Sequence, residues 1–492
     1  MRSPVKRYSL AIAILIVSFL WGVASSCRLN PDSLTSRDSD AGARVTAAAA
    51  TGSVEFWLTT PDKSALFTKQ ATNLVFSNTT NRYLTIDVDT TQTFQSIDGF
   101  GFTLTGGSAY VINRMSTASR DALLTELFGT TGNAIGISYL RLSIGASDLS
   151  PSVFSYNDMP AGQTDPNLTN FTLDMERPDL LPVLKQILTI NPAVKLVATP
   201  WSPPTWMKSN NSSVGGTLKP EYYGSYANYF VKYIQAMKAE GIAIDAITVQ
   251  NEPLNPNNNP SMYMTAAEQA SFIKNNLGPA LRTAGLTTKI ILYDHNCDNP
   301  NYPIAILNDP AAKQYVDGSG FHLYAGDIRA MSQVRNAHPD KNLYFTEQYT
   351  GTNGNFGGDL KWHLKNVVIG SARNWSRNAL EWNLATDTNY GPRTPGGCTT
   401  CLGALTIGTS VTHNVSYYII AHAAKFVRPG SVRLGSNVPG TLHNVAFKTP
   451  DGSKVLIVLN EARNSQTFNI RFRGKIVSTT LTGGAVGTYV WK

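Results

Sequence analysis

Two glutamates stand where short apolar runs of the sequence end. Residues 246–250 read Ala-Ile-Thr-Val-Gln just before Glu252, and residues 343–346 read Leu-Tyr-Phe-Thr just before Glu347. Runs of this composition are typical of buried strands in a parallel sheet, and the change to polar residues marks their carboxyl ends. Two carboxylates over one pocket can cleave a glycosidic bond, one as proton donor and one as nucleophile or base.

Each glutamate also has an alternative interpretation in which it plays no part in catalysis. A glutamate before a proline is by default a surface loop residue, but Pro253 also stops the preceding strand and leaves Glu252 at its rim. Structural ion pairing is the alternative for Glu347, because a charge that ends such an apolar strand is rarely left unpaired. Asn251, beside Glu252, is predicted to hydrogen-bond a sugar hydroxyl.

Three tryptophans are predicted at the ends of strands. Trp201 and Trp206 follow one strand, and Trp382 ends another. Indole faces pack on the apolar faces of sugar rings, as aromatic side chains pack on other apolar surfaces. One buried tryptophan would indicate core packing, whereas three at strand ends favour a sugar site.

Two polar side chains lie inside apolar strands. Arg141 stands in Leu-Arg-Leu and His322 in Phe-His-Leu-Tyr, so both must have polar partners if they are buried. Arg141 near Glu347 would keep that carboxylate ionised. A lone histidine such as His322 is more often a satisfied core residue than a catalyst.

The middle of the chain, 92–425, alternates strands with helices. Eight strands are predicted at 99–105, 138–144, 194–199, 246–250, 289–293, 318–322, 343–346 and 379–382. Helices are predicted near 117–128, 179–188, 220–239 and 266–284. Strict alternation favours an α/β fold of the (β/α)8 TIM-barrel class, in which the carboxyl ends of all strands meet at one rim. This count places Glu252 after the fourth strand and Glu347 after the seventh.

Antiparallel patterns flank the barrel. Residues 53–91 and 426–492 alternate apolar and polar residues between turns, and Asp451-Gly452 reads as a hairpin turn. The N-terminal strands are too few to form a core of their own. Both segments are therefore predicted to join in one all-β sandwich attached to the barrel.

The first residues predict export. In 1–27, basic residues precede an apolar run that ends in Ala-Ser-Ser-Cys27, as in a secretory signal peptide of the lipoprotein type. Residues 28–52 are polar and small, as in a flexible linker. The predicted location is the periplasm or, through acylation of Cys27, the outer membrane or cell surface, with simple secretion as the alternative. A lipid at Cys27 is the only membrane attachment predicted.

Composition narrows the function classes. Hydrophobic residues make up 42% and charged residues 15% of the 492, which describes a globular protein. The net charge of +8 is not gathered in a basic block, so nucleic-acid binding is not predicted. In an exported protein, Cys398 and Cys401 favour a loop-closing disulfide over a redox or zinc site, and no metal site is predicted.

Six segments, in order along the chain, carry a resemblance to a known family. They read Asp98-Gly-Phe-Gly101, Thr199-Pro-Trp-Ser-Pro-Pro-Thr-Trp-Met-Lys208, Gln250-Asn-Glu-Pro253, Phe321-His-Leu-Tyr324, Phe345-Thr-Glu-Gln348 and Glu381-Trp-Asn-Leu-Ala385. The set resembles glycoside hydrolase family 30, which contains lysosomal glucosylceramidase and microbial β-1,6-glucanases. The resemblance runs from about residue 92 to the C-terminus.

The resemblance implies a retaining glycosidase that needs no cofactor and acts on a carbohydrate or glycolipid. Glu252 would be the acid/base and Glu347 the nucleophile. The residues implied in the glucose-binding subsite are Arg141, Trp201, Asn251, His322 and Trp382.

One departure from the family bears on the substrate. Glucosylceramidase-like sequences have Thr-Asp where this chain has Thr105-Gly106, so an aspartate that contacts the sugar is missing. The segment 396–401, with its two cysteines, resembles the bacterial branch associated with β-1,6-glucan. A β-1,6-glucanase, a glucosylceramidase-like β-glucosidase and a β-xylosidase or β-fucosidase remain open, as does a non-catalytic glycan-binding lipoprotein. A metal-dependent barrel hydrolase is a further alternative, for which only His322 and the Asp294-His295 pair are candidate ligands.

Overall fold

The computed structural model describes residues 52–492. The predictions of a signal peptide over 1–27, of lipidation at Cys27 and of a linker over 28–52 fall outside these residues, except for Gly52. Within the described part, no helix has the length and apolar character needed to cross a bilayer.

Eight parallel strands close into a barrel, and each strand pairs with its neighbours in chain order. The strands are Gly99–Thr103, Tyr139–Ile144, Lys195–Pro200, Ala246–Thr248, Lys289–Cys297, Val316–Gly326, Asn342–Glu347 and Ser376–Asn383. The predicted (β/α)8 barrel is confirmed. Because all strands run the same way, their carboxyl ends surround a single rim.

Helices cover the outside of the barrel. The α-helices are Gly106–Asn113, Thr117–Phe128, Leu180–Ile190, Tyr223–Ala239, Ala266–Phe272, Gly278–Thr283, Asn301–Leu307, Pro310–Lys313, Ala330–Ala337, Phe356–His363, Ser371–Arg373 and Val415–Ala424. Wider π-helical turns at Ile273–Leu277 and Leu364–Gly370 join some of them, and short 3-10 helices lie at Asp174–Glu176, Thr205–Met207 and Pro220–Tyr222. Helix Leu180–Ile190 illustrates the packing, because its leucine, valine and isoleucine face is buried against the barrel.

Two barrel strands differ from their predicted lengths. The fourth strand ends at Thr248 rather than residue 250, so Glu252 lies in the loop that follows it. The fifth strand continues to Cys297 instead of ending at residue 293. In its pairing with the sixth strand, Tyr293 and His295 lie opposite consecutive residues, and Asp294 between them has no partner. The fifth strand therefore has a β-bulge at Asp294.

Ten strands from both ends of the described chain form the β-sandwich, as predicted. They are Ser53–Thr59, Thr68–Lys69, Leu74–Val75, Leu84–Ser96, Val432–Ser436, Leu442–Lys448, Lys454–Asn460, Gln466–Phe472, Lys475–Leu481 and Val486–Trp491. Leu84–Ser96 pairs antiparallel with Val432–Ser436 and parallel with Gln466–Phe472. The predicted domain boundary after residue 91 falls inside this long strand, because its polar second half still pairs within the sandwich.

Short sheets order the loops above the barrel rim. Thr350–Gly351, just after Glu347, pairs antiparallel with Cys401–Leu402. Ala385–Thr386, Leu405–Ile407 and Val411–His413 form a second small sheet. In the structure Cys398 and Cys401 are joined by a disulfide. The loop that the disulfide closes is thereby attached beside the end of the seventh strand.

Candidate active site

A cavity of about 380 Å³ opens at the carboxyl ends of the barrel strands. Both glutamates predicted from the sequence line it. Its other lining residues are Asp148, Trp201, Asn251, Leu254, Asn255, Asn258, His295, Asn296, Tyr324, Tyr349, Trp382, Cys398 and Cys401. Carboxylates, amides and aromatic rings in one concave site are the groups that bind a sugar.

The backbone turns sharply to present Glu252. This residue has φ of 45°, a left-handed conformation that residues other than glycine rarely adopt. Its N–H donates to the carbonyl of Asp294 at 3.0 Å, and its carbonyl accepts from the N–H of Asn255 at 2.8 Å. Both contacts hold the strained turn, and such strain is found at functional sites.

The guanidinium of Arg141 organises the floor of the site. It donates to a carboxylate oxygen of Glu347, to Asn251 Oδ1 at 2.7 Å and to Asp294 Oδ2 at 2.9 Å, and its Nε donates to Thr199 Oγ1 at 3.2 Å. The side chain is fully buried. A buried guanidinium with two carboxylate partners fixes both of them in position.

Asp294 is the central acceptor beneath the two glutamates. The bulge on the fifth strand, with φ of 73° at Tyr293 and 64° at Asp294, turns this carboxylate into the barrel. Besides Arg141, it accepts from Thr248 Oγ1 at 2.7 Å and Thr346 Oγ1 at 2.6 Å. The charges of Arg141 and His322 and the hydrogen bonds from His322 and Thr346 hold the pKa of Asp294 far below the usual range despite complete burial.

His322 and Tyr324 lie two residues apart on the sixth strand, so both side chains face the site. His322 Nε2 is 3.1 Å from Asp294 Oδ1, and its Nδ1 is 3.2 Å from Glu252 Oε1 and 3.7 Å from Glu347 Oε1. The hydroxyl of Tyr324 donates to Glu347 Oε1 at 2.9 Å. His322 therefore links the carboxylates to one another rather than filling the core.

The two predicted carboxylates come close together. One oxygen of Glu252 and one of Glu347 lie within 4.8 Å of each other and of a nitrogen of His322. Glycosidases that retain anomeric configuration hold their carboxyl groups about 5–5.5 Å apart, whereas inverting enzymes need about 6.5–9.5 Å for a water molecule. The closeness of these two oxygens favours attack by a carboxylate on the sugar over the wider, inverting arrangement.

Protons in this cluster are shared. Burial alone would raise the pKa of Glu252, but the hydrogen bond and positive charge of His322 lower it to about 2. Burial works against a charge on His322, yet Glu347, Asp294 and Glu252 together raise its pKa to about 9. Near neutral pH a proton thus lies on His322, 3.2 Å from Glu252.

Burial raises the pKa of Glu347, although the charges of His322 and Arg141 act in the opposite direction. Arg141 therefore favours the ionised form of Glu347, as expected, but burial outweighs this effect on the pKa. The hydroxyl of Tyr324 and the guanidinium of Arg141 are the two donors that stabilise the ionised form.

Two of the three tryptophans meet in the cavity. The rings of Trp201 and Trp382 lie with centroids 5.4 Å apart, and the Arg141 guanidinium is 4.7 Å from the centroid of Trp201. Trp206 is different, because its Nε1 donates to Asn157 and its ring packs on Tyr222 away from the cavity. The expectation that Trp206 joins the sugar site is wrong, since the 3-10 turn Thr205–Met207 points it into the core.

The geometry also brings together a possible set of metal ligands. Glu252, His322 and Glu347 could contact one divalent cation by distance alone. Arg141 and the proton on His322 already compensate these carboxylates. No separate cluster of three such ligands is found among residues 52–492.

The family model for the glycosyl hydrolase family 30 TIM-barrel domain matches residues 97–427, and the model for the family 30 β-sandwich domain matches 430–489. The chain belongs to glycoside hydrolase family 30. It is therefore a glycoside hydrolase that acts on a carbohydrate substrate, as the sequence predicted.

Relatives narrow the type of hydrolase. This family 30 chain is 37% identical to an endo-1,6-β-D-glucanase of Neurospora crassa over 83% of its own length and 88% of that protein. It is 28% identical to the lysosomal acid glucosylceramidase of Mus musculus over 85% of each chain. The solved structure of the endo-β1,6-glucanase BT3312 matches with a TM-score of 0.83 and 37% identity, over 89% of this chain and 99% of that one. The enzyme is of the β-glucosidase and β-glucanase type.

Several site residues were missed from the sequence. The sequence offered Asp294 only as a candidate metal ligand. It follows the apolar run Ile-Ile-Leu-Tyr as the glutamates follow theirs, so the same signal could have placed it beside them. Tyr324 lies two residues after His322 and shares its face of the strand. Asp148, Asn255 and Asn258 lie in loops, where no periodicity indicates which way a side chain points.

Proposed function

We propose that this family 30 enzyme is a retaining endo-β-1,6-glucanase. The separation of the Glu252 and Glu347 oxygens, within 4.8 Å, carries the retaining mechanism. The β-1,6 linkage and endo action rest on the relatives from Neurospora crassa and BT3312, which carry those activities in their names.

In the first step, Glu347 attacks the anomeric carbon and displaces the glycosidic oxygen. Glu252 donates a proton to that oxygen as the bond breaks. Transfer of the His322 proton to Glu252 provides the acid without changing the charge of the cluster. Arg141 and Tyr324 hold Glu347 for in-line attack, since both donate to its oxygens.

In the second step, Glu252 acts as the base. It removes a proton from water, and the water oxygen attacks the anomeric carbon of the glycosyl enzyme from the face that the leaving group vacated. Glu347 departs as a carboxylate, and the product retains the β configuration. Asn255 and Asn258, which donate to Glu252 Oε2 at 2.8 and 3.3 Å, orient the carboxyl group in both steps.

Replacing His322 with asparagine tests how the proton is held. Because His322 has a pKa of about 9, the native cluster keeps its proton up to that pH and activity should fall only above it. Asparagine cannot carry the proton, so Glu252 must hold it alone. Burial then raises the pKa of Glu252, but the histidine that kept the proton up to about pH 9 is gone. We expect the alkaline limb of kcat/KM to move by at least about one pH unit towards acid. An unchanged limb, measured from pH 4 to 10 on an aryl β-glucoside with protein that stays folded, would contradict this role.

We also propose that the chain is exported by its N-terminal signal and acts in the periplasm or at the cell surface. The support is the apolar run of residues 10–23 followed by Ala-Ser-Ser-Cys27. Metabolic labelling of the full chain with a fatty-acid analogue tests acylation. Label that persists in a Cys27→Ala variant would rule out Cys27 as the acylated residue.

Product analysis tests the linkage. We expect a linear β-1,6-glucan to yield gluco-oligosaccharides of mixed length, with β-1,3- and β-1,4-glucans little affected, and a Glu347→Gln variant serves as the inactive control. Glucose as the only product would indicate exo action. Release of ceramide from glucosylceramide without attack on the glucan would favour the second candidate, a glucosylceramidase-like β-glucosidase, which the mouse relative supports. Preference for an aryl β-xyloside or β-fucoside would overturn both.

A further inference from the structure

A second cavity, of about 370 Å³, lies at the opposite end of the barrel from the active site. Asn342 and Leu343 line it from the amino end of the seventh barrel strand, and Trp375 and Arg377 line it from the start of the eighth. The sandwich strand Leu84–Ser96 forms another side. The cavity therefore lies where the base of the barrel meets the β-sandwich, and it takes no part in the mechanism above.

Positively charged side chains line this basal cavity. They are Arg335, Lys341 and Arg377. The charge of Arg377 is compensated by Asp98, which accepts from its Nε and Nη2 at 2.9 Å. Arg335 and Lys341 form no salt bridge within residues 52–492, and both donate to backbone carbonyls only. The cavity thus presents two cations that no carboxylate compensates.

A third such cation, Arg433 of the sandwich, borders the cavity. It is 6% exposed, and it has no salt bridge in the described part of the chain. Its guanidinium carbon lies 3.6 Å from the ring centroid of Phe94 and 5.5 Å from that of Trp375, and both rings line the cavity. Only its Nε has an acceptor there, Gln95 Oε1 at 3.0 Å. Burial and the charge of Arg373 lower its pKa to about 10. A buried cation without a counterion is costly, and an anion in the cavity would offset that cost.

Aromatic rings hold two of these guanidiniums. Arg335 lies 4.7 Å from the ring centroid of Trp375, the same indole that Arg433 approaches. Phe94 packs edge-on against Trp375 with centroids 5.6 Å apart. Because the arginines already contact the indole, the cavity offers positive charge rather than an open aromatic surface. This arrangement favours an anion over a neutral sugar.

We propose that the basal cavity binds a phosphate group, with Arg335 and Lys341 as direct donors and Arg433 contributing its charge from beside the Phe94 ring. A guanidinium pairs with two phosphate oxygens at once, whereas an ammonium group acts as a point charge. Three uncompensated cations match a dianion better than a carboxylate, which carries a single charge.

The phosphate can be a free ion or part of an ester. The cavity is nearly as large as the catalytic one, so it has room for the glycerol or sugar of a phosphate monoester. Inorganic phosphate, glycerol 3-phosphate and glucose 6-phosphate are therefore compared as probes. Tighter binding of glycerol 3-phosphate would indicate a lipid headgroup, tighter binding of glucose 6-phosphate a phosphorylated glycan, and equal binding the free ion; each of these results supports the phosphate site.

The test is isothermal titration calorimetry of the full-length protein with each probe at constant ionic strength. We expect the wild type to bind one equivalent, and the double variant Arg335→Gln/Lys341→Gln to bind at least about tenfold more weakly, because it loses charge-assisted hydrogen bonds. Circular dichroism checks that the variant is folded. If it is not, Lys341→Gln alone is measured, with an expected weakening of at least about threefold.

Lys238→Gln/Lys475→Gln is the matched control. These two lysines are exposed and lie outside the cavity, on a barrel helix and on the sandwich, and their replacement removes the same net charge. We expect this control to bind each probe within about twofold of the wild type, since exposed charges contribute little at moderate ionic strength.

Three results would overturn the proposal. One is a wild type that binds none of the three probes at about 10 mM, a concentration that detects even weak sites. Another is an equal loss of affinity in the control and in the cavity variant, which would reflect net charge alone. The third is competitive inhibition of glycoside hydrolysis by phosphate, which would place the ion in the catalytic cavity. Binding at the basal cavity does not depend on the proposed glucanase activity.

Discussion

Replacing Glu347 with glycine is expected to lower kcat for an aryl β-glucoside by roughly four to six orders of magnitude, the scale seen when a catalytic nucleophile is removed. The reason is geometric. Glu347 is the carboxylate that Arg141 and Tyr324 hold from two sides, and Glu252 approaches it within 4.8 Å. Without Glu347 no glycosyl enzyme can form, whereas binding of the sugar to the tryptophans is retained.

Chemical rescue separates this role from a structural one. The space left by Glu347→Gly should admit azide, which attacks the anomeric carbon from the face that Glu347 occupied and gives an α-glycosyl azide. Glu347→Gln is the conservative comparison, because it keeps the size of the side chain and should stay folded but inactive. A β-glycosyl azide, or near-normal turnover by Glu347→Gln, would contradict the assignment of Glu347 as nucleophile.

The second large effect is expected at Glu252, and it should depend on the leaving group. Glu252→Ala removes the proton donor, so hydrolysis of an alkyl β-glucoside or glucan should fall about 10²- to 10⁴-fold. The dinitrophenolate of a dinitrophenyl β-glucoside leaves without protonation. Formation of the glycosyl enzyme from this substrate should therefore be much less affected. The slow step should then be deglycosylation, visible as a burst of phenol in rapid kinetics.

Azide distinguishes the two glutamates in a single assay. In Glu252→Ala it should react with the accumulated glycosyl enzyme and give a β-glycosyl azide, the opposite anomer from that expected for Glu347→Gly. Asp165 is a buried aspartate outside the cavity whose carboxylate accepts hydrogen bonds from Asn157, Thr169 and Asn170. Asp165→Asn is therefore a control for general destabilisation. Equal losses on good and poor leaving groups would show that Glu252 acts through structure rather than through proton transfer.

His322 connects these experiments to the fold. Its Nδ1 faces Glu252 and its Nε2 faces Asp294, whose carboxylate is fixed by Arg141, Thr248 and Thr346. The ionised Asp294 beside one ring nitrogen stabilises a proton on His322. This is the proton that Glu252 receives and donates. The acid of this enzyme is thus a shared proton whose position depends on residues from five strands of the barrel.

The lengths of the apolar runs were sufficient to predict the barrel from the sequence. Eight runs separated by helical patterns permit few arrangements, because parallel strands need crossover connections and close in chain order. The placement of Glu252 and Glu347 at one rim followed from the strand count alone. Trp206 was placed wrongly because a tryptophan after a strand can face the cavity or the core, and the turn that decides between them leaves no periodic signal.

The sequence by itself determined the fold, the carboxylate pair and the resemblance to family 30, since these depend on local composition and on order along the chain. Only the tertiary structure decided which distant residues meet. The bulge at Asp294 and the proton held between His322 and Glu252 both depend on contacts between segments far apart in sequence. Backbone irregularities and loop packing fix these contacts, and neither follows from the alternation of apolar and polar residues.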